Sequence, residues 1–235
     1  MRIQRTIVMA VGAALLLSGA AYAQTCTPIT SVPTTISNSG VYCLTANLTF
    51  TGYGTAITIT NNAILIDFNG YRLLNSPPSP SYLNVGIDIG DDKNVTIRNG
   101  LISDFNFGIL ASGRAAVVED MQFSENDVSV VLYNGEAIFR RNFCRRSISC
   151  VTVWGDHAKI VDNDVVGRVI GGNIYNMGVG IDIAGGQHAL VQGNRLSRLD
   201  NGIYFHNGTS GKFRDTMTAN VTVPFTGGTN IGNNN

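Results

Sequence analysis

Apolar residues recur along this chain at a fixed step, and the step admits few folds. From the Val/Ile run that begins at Val95, the positions Ile97, Val118, Phe139 and Ile160 are equally spaced, by steps of 21, 21 and 21; Val191 and Phe213 continue the series after steps of 31 and 22. Such a period is the mark of a stacked repeat, in which each unit buries its apolar face only against its neighbours. The long step places about ten extra residues in one repeat, assigned to Arg168–Met177. A second column, Ile87, Ile109, Val130, Val151, Ile181 and Ile203, runs nine or ten residues ahead of the first. A third, Ile102, Phe123, Cys144, Val165 and Leu196, follows it.

Within a repeat the pattern is that of short strands. Gly86-Ile87-Asp88-Ile89, Gly108-Ile109-Leu110-Ala111, Ser129-Val130-Val131-Leu132, Cys150-Val151-Thr152-Val153, Gly180-Ile181-Asp182-Ile183 and Gly202-Ile203-Tyr204-Phe205 alternate with period two. Their inward positions are the Ile/Val pairs, and Asp88, Leu110, Val131, Thr152, Asp182 and Tyr204 are expected outside. After the second strand come Gly100, Asn142, Asn163 and Asn194, residue types that tolerate a left-handed turn and whose side chains can hydrogen-bond between repeats. On the outer surface Arg98, Glu119 and Arg140 alternate in sign, as do Asp120, Arg141 and Asp162. Stacked strands lie about 4.8 Å apart, so this register sets opposite charges side by side.

Strong helix formers are sparse and Ile, Val, Thr, Gly and Asn dominate, so the expected fold is all-β with little helix. Three strands per repeat predict a right-handed parallel β-helix of roughly seven coils with three parallel sheets. A leucine-rich repeat shares the period, but its strand is leucine-rich and its convex side needs a different segment. The domain reading is a signal peptide over 1–23, a cap with the first coil over 24–53, repeats over 54–226 and a polar tail over 227–235.

Export is read from the first residues. Arg2 and Arg5 precede an apolar run from Ile7 to Leu17, and Ala21-Tyr22-Ala23 is a small-x-small cleavage signal before Gln24. That run is too short for a spanning helix, and no later run reaches the necessary length. The expected location is therefore secreted or periplasmic. Lys plus Arg number 16 and Asp plus Glu 16, so no net charge draws the surface to nucleic acid or to an anionic membrane. In an oxidising compartment four cysteines are read as two bridges, Cys26 with Cys43 and Cys144 with Cys150, rather than as a zinc site.

The constant coil length, the Gly-Ile-x-Ile strand, the Asn turn, the opening Gly40-Val41-Tyr42-Cys43-Leu44 and the segment Ile66-Asp67-Phe68-Asn69-Gly70-Tyr71 resemble the right-handed parallel β-helix proteins of the pectin-lyase-like superfamily. The resemblance covers most of Cys26 to Asn235 and implies a polysaccharide partner. Activities in that superfamily include lyases, polygalacturonases, epimerases and tailspike hydrolases, and other members have no known catalysis. The motifs of the enzymes do not carry over. There is no Arg-x-Pro-x-x-Arg segment, only Asp91-Asp92 stands for the polygalacturonase set, and Gly155-Asp156-His157 is a distant echo of the epimerase signature.

Candidate chemistry is instead read from position. Three residues before each second-strand anchor stand Asn94, Ala115, Glu136, His157, His188 and Ser210, so Glu136, His157 and His188 fall in one turn column with Asp156 beside them. At about 5 Å spacing these groups are close enough to share a proton or a divalent ion. A solvent-facing turn is also polar without any function. Near the aromatic residues Tyr133 and Trp154, the glycosidase requirement for two carboxylates about 5 to 9.5 Å apart is met at suitable coil spacing only by Glu136 with Asp156. A lyase would need a base with a cation, such as His157 with Lys159 or Arg114. For substrate binding, Tyr133, Trp154, Tyr204 and His206 lie on the outer face of the first strand and its turn, where aromatic faces can stack on sugar rings. No cofactor and no resident metal are expected, and oligomeric state is not legible. The functional expectation is a glycan-binding or structural protein; the alternative is a polysaccharide lyase or glycoside hydrolase.

Overall fold

Ile and Val recurring at a fixed step form continuous ladders when successive strands run parallel and in register, and that is the arrangement found. A computed structural model describes residues 25–77, 83–91, 94–167 and 178–235. Among these residues the regular structure is all strand, assembled into one large parallel sheet system with no helix. The signal-peptide reading and the extra residues 168–177 lie outside the described residues.

Each expected column is a run of register partners. Ile97, Val118, Phe139, Ile160, Val191 and Phe213 pair in that order, as do Ile87, Ile109, Val130, Val151, Ile181 and Ile203. The third column pairs Ile102 with Phe123, then Cys144, Val165 and Leu196. All of these side chains are buried and belong to a single core cluster. The ladders reach back to the first strands, where Ile36 is stacked on Ile59 and Ile59 on Ile89. This long, closely paired parallel architecture is consistent with a β-helix solenoid.

The turn after the second strand differs from expectation. The left-handed residues are Asn99, Asp120, Arg141, Asp162 and Gly193, each one position earlier than anticipated. The following Asn142, Asn163 and Asn194 are buried instead. Asn163 Oδ1 accepts from the Asn142 backbone N–H at 2.9 Å and its Nδ2 donates to Phe139 O at 3.0 Å; Asn194 does the same for Asn163 and Ile160. The sharp turn thus exposes a charged side chain and sends the next amide inward, where it closes backbone groups that the bend leaves unpaired. At Gly100 in the same column a Cβ would collide with Phe68, so this step carries no side chain.

Outside, Arg140 lies 2.6 Å from Glu119 and Arg141 2.7 Å from Asp120, as the alternating signs require. Arg98 turns the other way and bonds Asp67 at 2.9 Å. Val131, expected outside, does point away from the core cluster but is covered by its surroundings. The segment read as a tail continues the ladder, with Thr229–Asn230 paired to Lys212–Phe213 and Asn235 N–H donating to Thr216 O at 3.1 Å.

Both expected disulfides form, Cys26–Cys43 and Cys144–Cys150, and no free cysteine remains among the described residues. Paired cysteines suit an oxidising, non-cytoplasmic compartment. No helix among the described residues is long and apolar enough to cross a membrane.

Candidate functional site

Two turns that follow paired strands build a cleft. Val128–Leu132 pairs with Ser149–Val153, so the residues that leave these strands, Tyr133 and Trp154, stand on adjacent steps of one column. Both residues are open to solvent, at 44% and 50% exposure. Three residues further along, Glu136 and His157 take the left-handed conformation, as do Ala115 before them and His188 after. The turns are stitched together by Glu136 N–H to Asp156 O and His157 N–H to Gln187 O, both 2.8 Å.

The result is an open cavity of about 500 Å³ lined by Arg114, Tyr133, Glu136, Trp154, Asp156 and His157, together with Asn134 and two glycines. Those glycines are steric necessities. A Cβ on Gly155 would run into the Asn134 backbone, and one on Gly135 would come within 2.9 Å of Asp156 O. Gly185, on the next step, meets the Trp154 ring; a Cβ there would lie 3.0 Å from the indole Cε3. The backbone at position 185 thus packs close to the indole.

The polar groups of the cleft are partly committed. Arg114 lies 3.5 Å from Glu136. Asp156 Oδ1 accepts the Gln187 backbone N–H at 2.7 Å. The His157 and His188 rings face each other with centroids 5.1 Å apart, so the extra residues before His188 have not pushed it out of the column. His188 itself lines a neighbouring hollow with Ser210 and Lys212. No group of three or more His, Cys, Asp or Glu among the described residues is placed to hold a metal ion.

Tyr204 and His206 do not join this cleft. Position 206 shares the column of Trp154, but Ala184 stands between them in register. They form a separate cluster: His206 Nε2 is 2.8 Å from Asp182 Oδ1, and the Tyr204 ring meets His206 edge-on at 4.5 Å. Burial holds the Asp182 carboxyl above the ordinary aspartate range, and the opposing pull of His206 does not cancel it. A carboxyl whose folded value is raised favours folding at pH below its unfolded value of about 3.9, and that contribution is lost as pH rises through the folded value. Asp182→Asn should therefore gain in Tm relative to the parent as pH climbs from about 4 toward neutrality. Parallel melting curves across that range check it, and a difference that is flat or of opposite sign would reject the assignment.

Of the two cations considered beside His157, Arg114 lines the cavity and Lys159 does not; Asn134 and the glycine floor were not read from the sequence. The recurring pair of a large residue or Asn with Gly, at Asn134-Gly135 and Trp154-Gly155, was the available signal. No family model, curated protein or solved structure matches the chain.

Proposed function

We propose that this chain is an exported right-handed parallel β-helix of roughly seven coils and three sheets, similar to the pectin-lyase-like superfamily, that binds a glycan without transforming it. In this reading residues 1–23 are a cleaved signal peptide and the protein works outside the cell or in the periplasm. The observation that carries it is the pair Tyr133 and Trp154, exposed on adjacent steps at the mouth of a polar cleft. Sugar rings present C–H faces that lie on aromatic rings and hydroxyls that bond carboxylates, imidazoles and amides, and the cleft offers both.

The enzymatic alternative keeps one supporting observation: Glu136 and Asp156 border the same cavity, as a hydrolase needs. Incubation of the mature protein with a polysaccharide panel separates the two readings. Binding by mobility shift, without new reducing ends or unsaturated products, is the expected result. Trp154→Ala should weaken it by about tenfold or more, roughly 1.4 kcal/mol of lost stacking. Cleavage that Glu136→Gln abolishes would establish the enzyme instead.

A further inference from the structure

We propose that the glycan taken by this cleft carries no anionic group, neither carboxylate, sulfate nor phosphate. The inference rests on the glycan-binding reading and concerns its charge. Of the ionisable groups that line the cavity, Arg114 is a cation, Glu136 and Asp156 are carboxylates, and His157 is an imidazole. The guanidinium in the lining lies 3.5 Å from Glu136, so part of its charge is offset within the cleft. Asp156 is met by a backbone N–H and not by a cation. A neutral ligand therefore faces one carboxylate in excess, and an anionic chain laid on Trp154 would bring its own charge beside it with, among the described lining residues, no cation but the one already beside Glu136.

The nearby ammonium groups do not repair this. Lys159 and Lys212 project from another face, aligned with Leu190 on the second-strand ladder, and neither lines the cavity. Lys212 belongs to the separate hollow beside His188. Carboxylates at a sugar site are productive toward hydroxyls, since two oxygens can accept from a vicinal diol in a charge-assisted geometry. The aromatic pair supplies the apolar half of the same recognition. Cleft chemistry and cleft charge thus agree on an uncharged or amine-bearing chain.

Trp154 is the only tryptophan, which makes its fluorescence a local probe of occupancy. The test titrates the purified protein at low salt with hexamers of neutral glucan, mannan and xylan and with galacturonate and mannuronate hexamers of equal length, following Trp154 emission with calorimetry in parallel. At least one neutral hexamer is expected to bind, with the uronates about tenfold weaker or worse and the gap narrowing as salt screens the repulsion. Asp156→Asn keeps an oxygen for the Gln187 N–H and removes one charge, so it should raise uronate affinity about threefold relative to the neutral chain. Uronates that bind as tightly as neutral hexamers, or an unchanged ratio in Asp156→Asn, would overturn the inference while leaving glycan binding intact. Silence from every hexamer would instead remove the glycan-binding reading on which the inference stands.

Discussion

Val151→Asp is expected to leave a chain that no longer reaches its native state. Val151 is fully buried, paired in register with Val130 on one side and Ile181 on the other, and part of the single core cluster. Removing the valine forfeits about 1.5 to 3 kcal/mol of buried apolar surface. The carboxylate that replaces it enters an apolar core, and an unpaired buried charge costs several kcal/mol more, or is neutralised at a similar cost. The sum, about 5 kcal/mol or above, is comparable to the roughly 5 to 15 kcal/mol that keeps a domain folded. Because stacked repeats gain most of their stability at nearest-neighbour contacts, the break should also loosen the ladders on both sides. Far-ultraviolet circular dichroism and urea unfolding check this against Lys159→Glu, an exposed change on a neighbouring strand expected to stay within about 0.5 kcal/mol. A native melting temperature in Val151→Asp would be incompatible with the inward register of this column.

That register was legible because it repeats. Each apolar column is the same physical demand met again on every coil, so chance agreement at one position is corrected by the next. The disulfides were legible on a different ground, four cysteines in an exported chain; Cys26 directly precedes a strand paired with that of Cys43, and Cys144 and Cys150 sit on strands consecutive in the chain. Legibility fails where the period fails. The step from Ile66 to Ile97 is as long as the one from Ile160 to Val191, and the strands ahead of Ile66 are spaced irregularly, so their columns emerge only from the pairing.

The candidate site was half legible. Glu136, His157 and His188 share a column because the second-strand anchor fixes their position, and the same arithmetic aligns Tyr133 with Trp154. Arithmetic along the chain does not say where a turn leaves space. The cavity exists because Gly135 and Gly155 let two turns approach and because Arg114 reaches Glu136 from the preceding step. Tyr204 and His206 looked like members of the same face, yet Ala184 and Gly185 open a gap in that column and Asp182 draws His206 to itself. Composition could not have shown that, since it depends on which carboxylate is near enough to bond the imidazole.

Asn163→Ala is expected to cost far more than an ordinary polar deletion, about 3 kcal/mol. A typical hydrogen bond is worth only about 1 kcal/mol net, which is the loss the turn chemistry alone would suggest. Asn163 is buried, however, and stands in the middle of a ladder. Its Oδ1 accepts from both the backbone N–H and the Nδ2 of Asn142, and its Nδ2 donates to Phe139 O and to Asn194 Oδ1. Alanine leaves the Asn142 N–H without an acceptor in a place water does not reach, an orphaning that costs about 1 to 3 kcal/mol, and it also removes the side-chain donor to Phe139 O and the amide contacts to Asn142 and Asn194. The Asn163 backbone N–H keeps its bond to Asn194 Oδ1, so the damage runs toward Asn142 and not toward Asn194. Urea unfolding gives the loss, and amide exchange gives its direction: the Asn142 amide should exchange faster than in the parent while the Asn163 amide stays protected. In the double variant Asn142→Ala with Asn163→Ala the side chain to side chain bond is counted once, so the combined loss should fall short of the sum by about 1 kcal/mol. A single-variant loss below about 1 kcal/mol, or strict additivity in the pair, would mean that the amides fill space in the turn without closing the backbone groups around them.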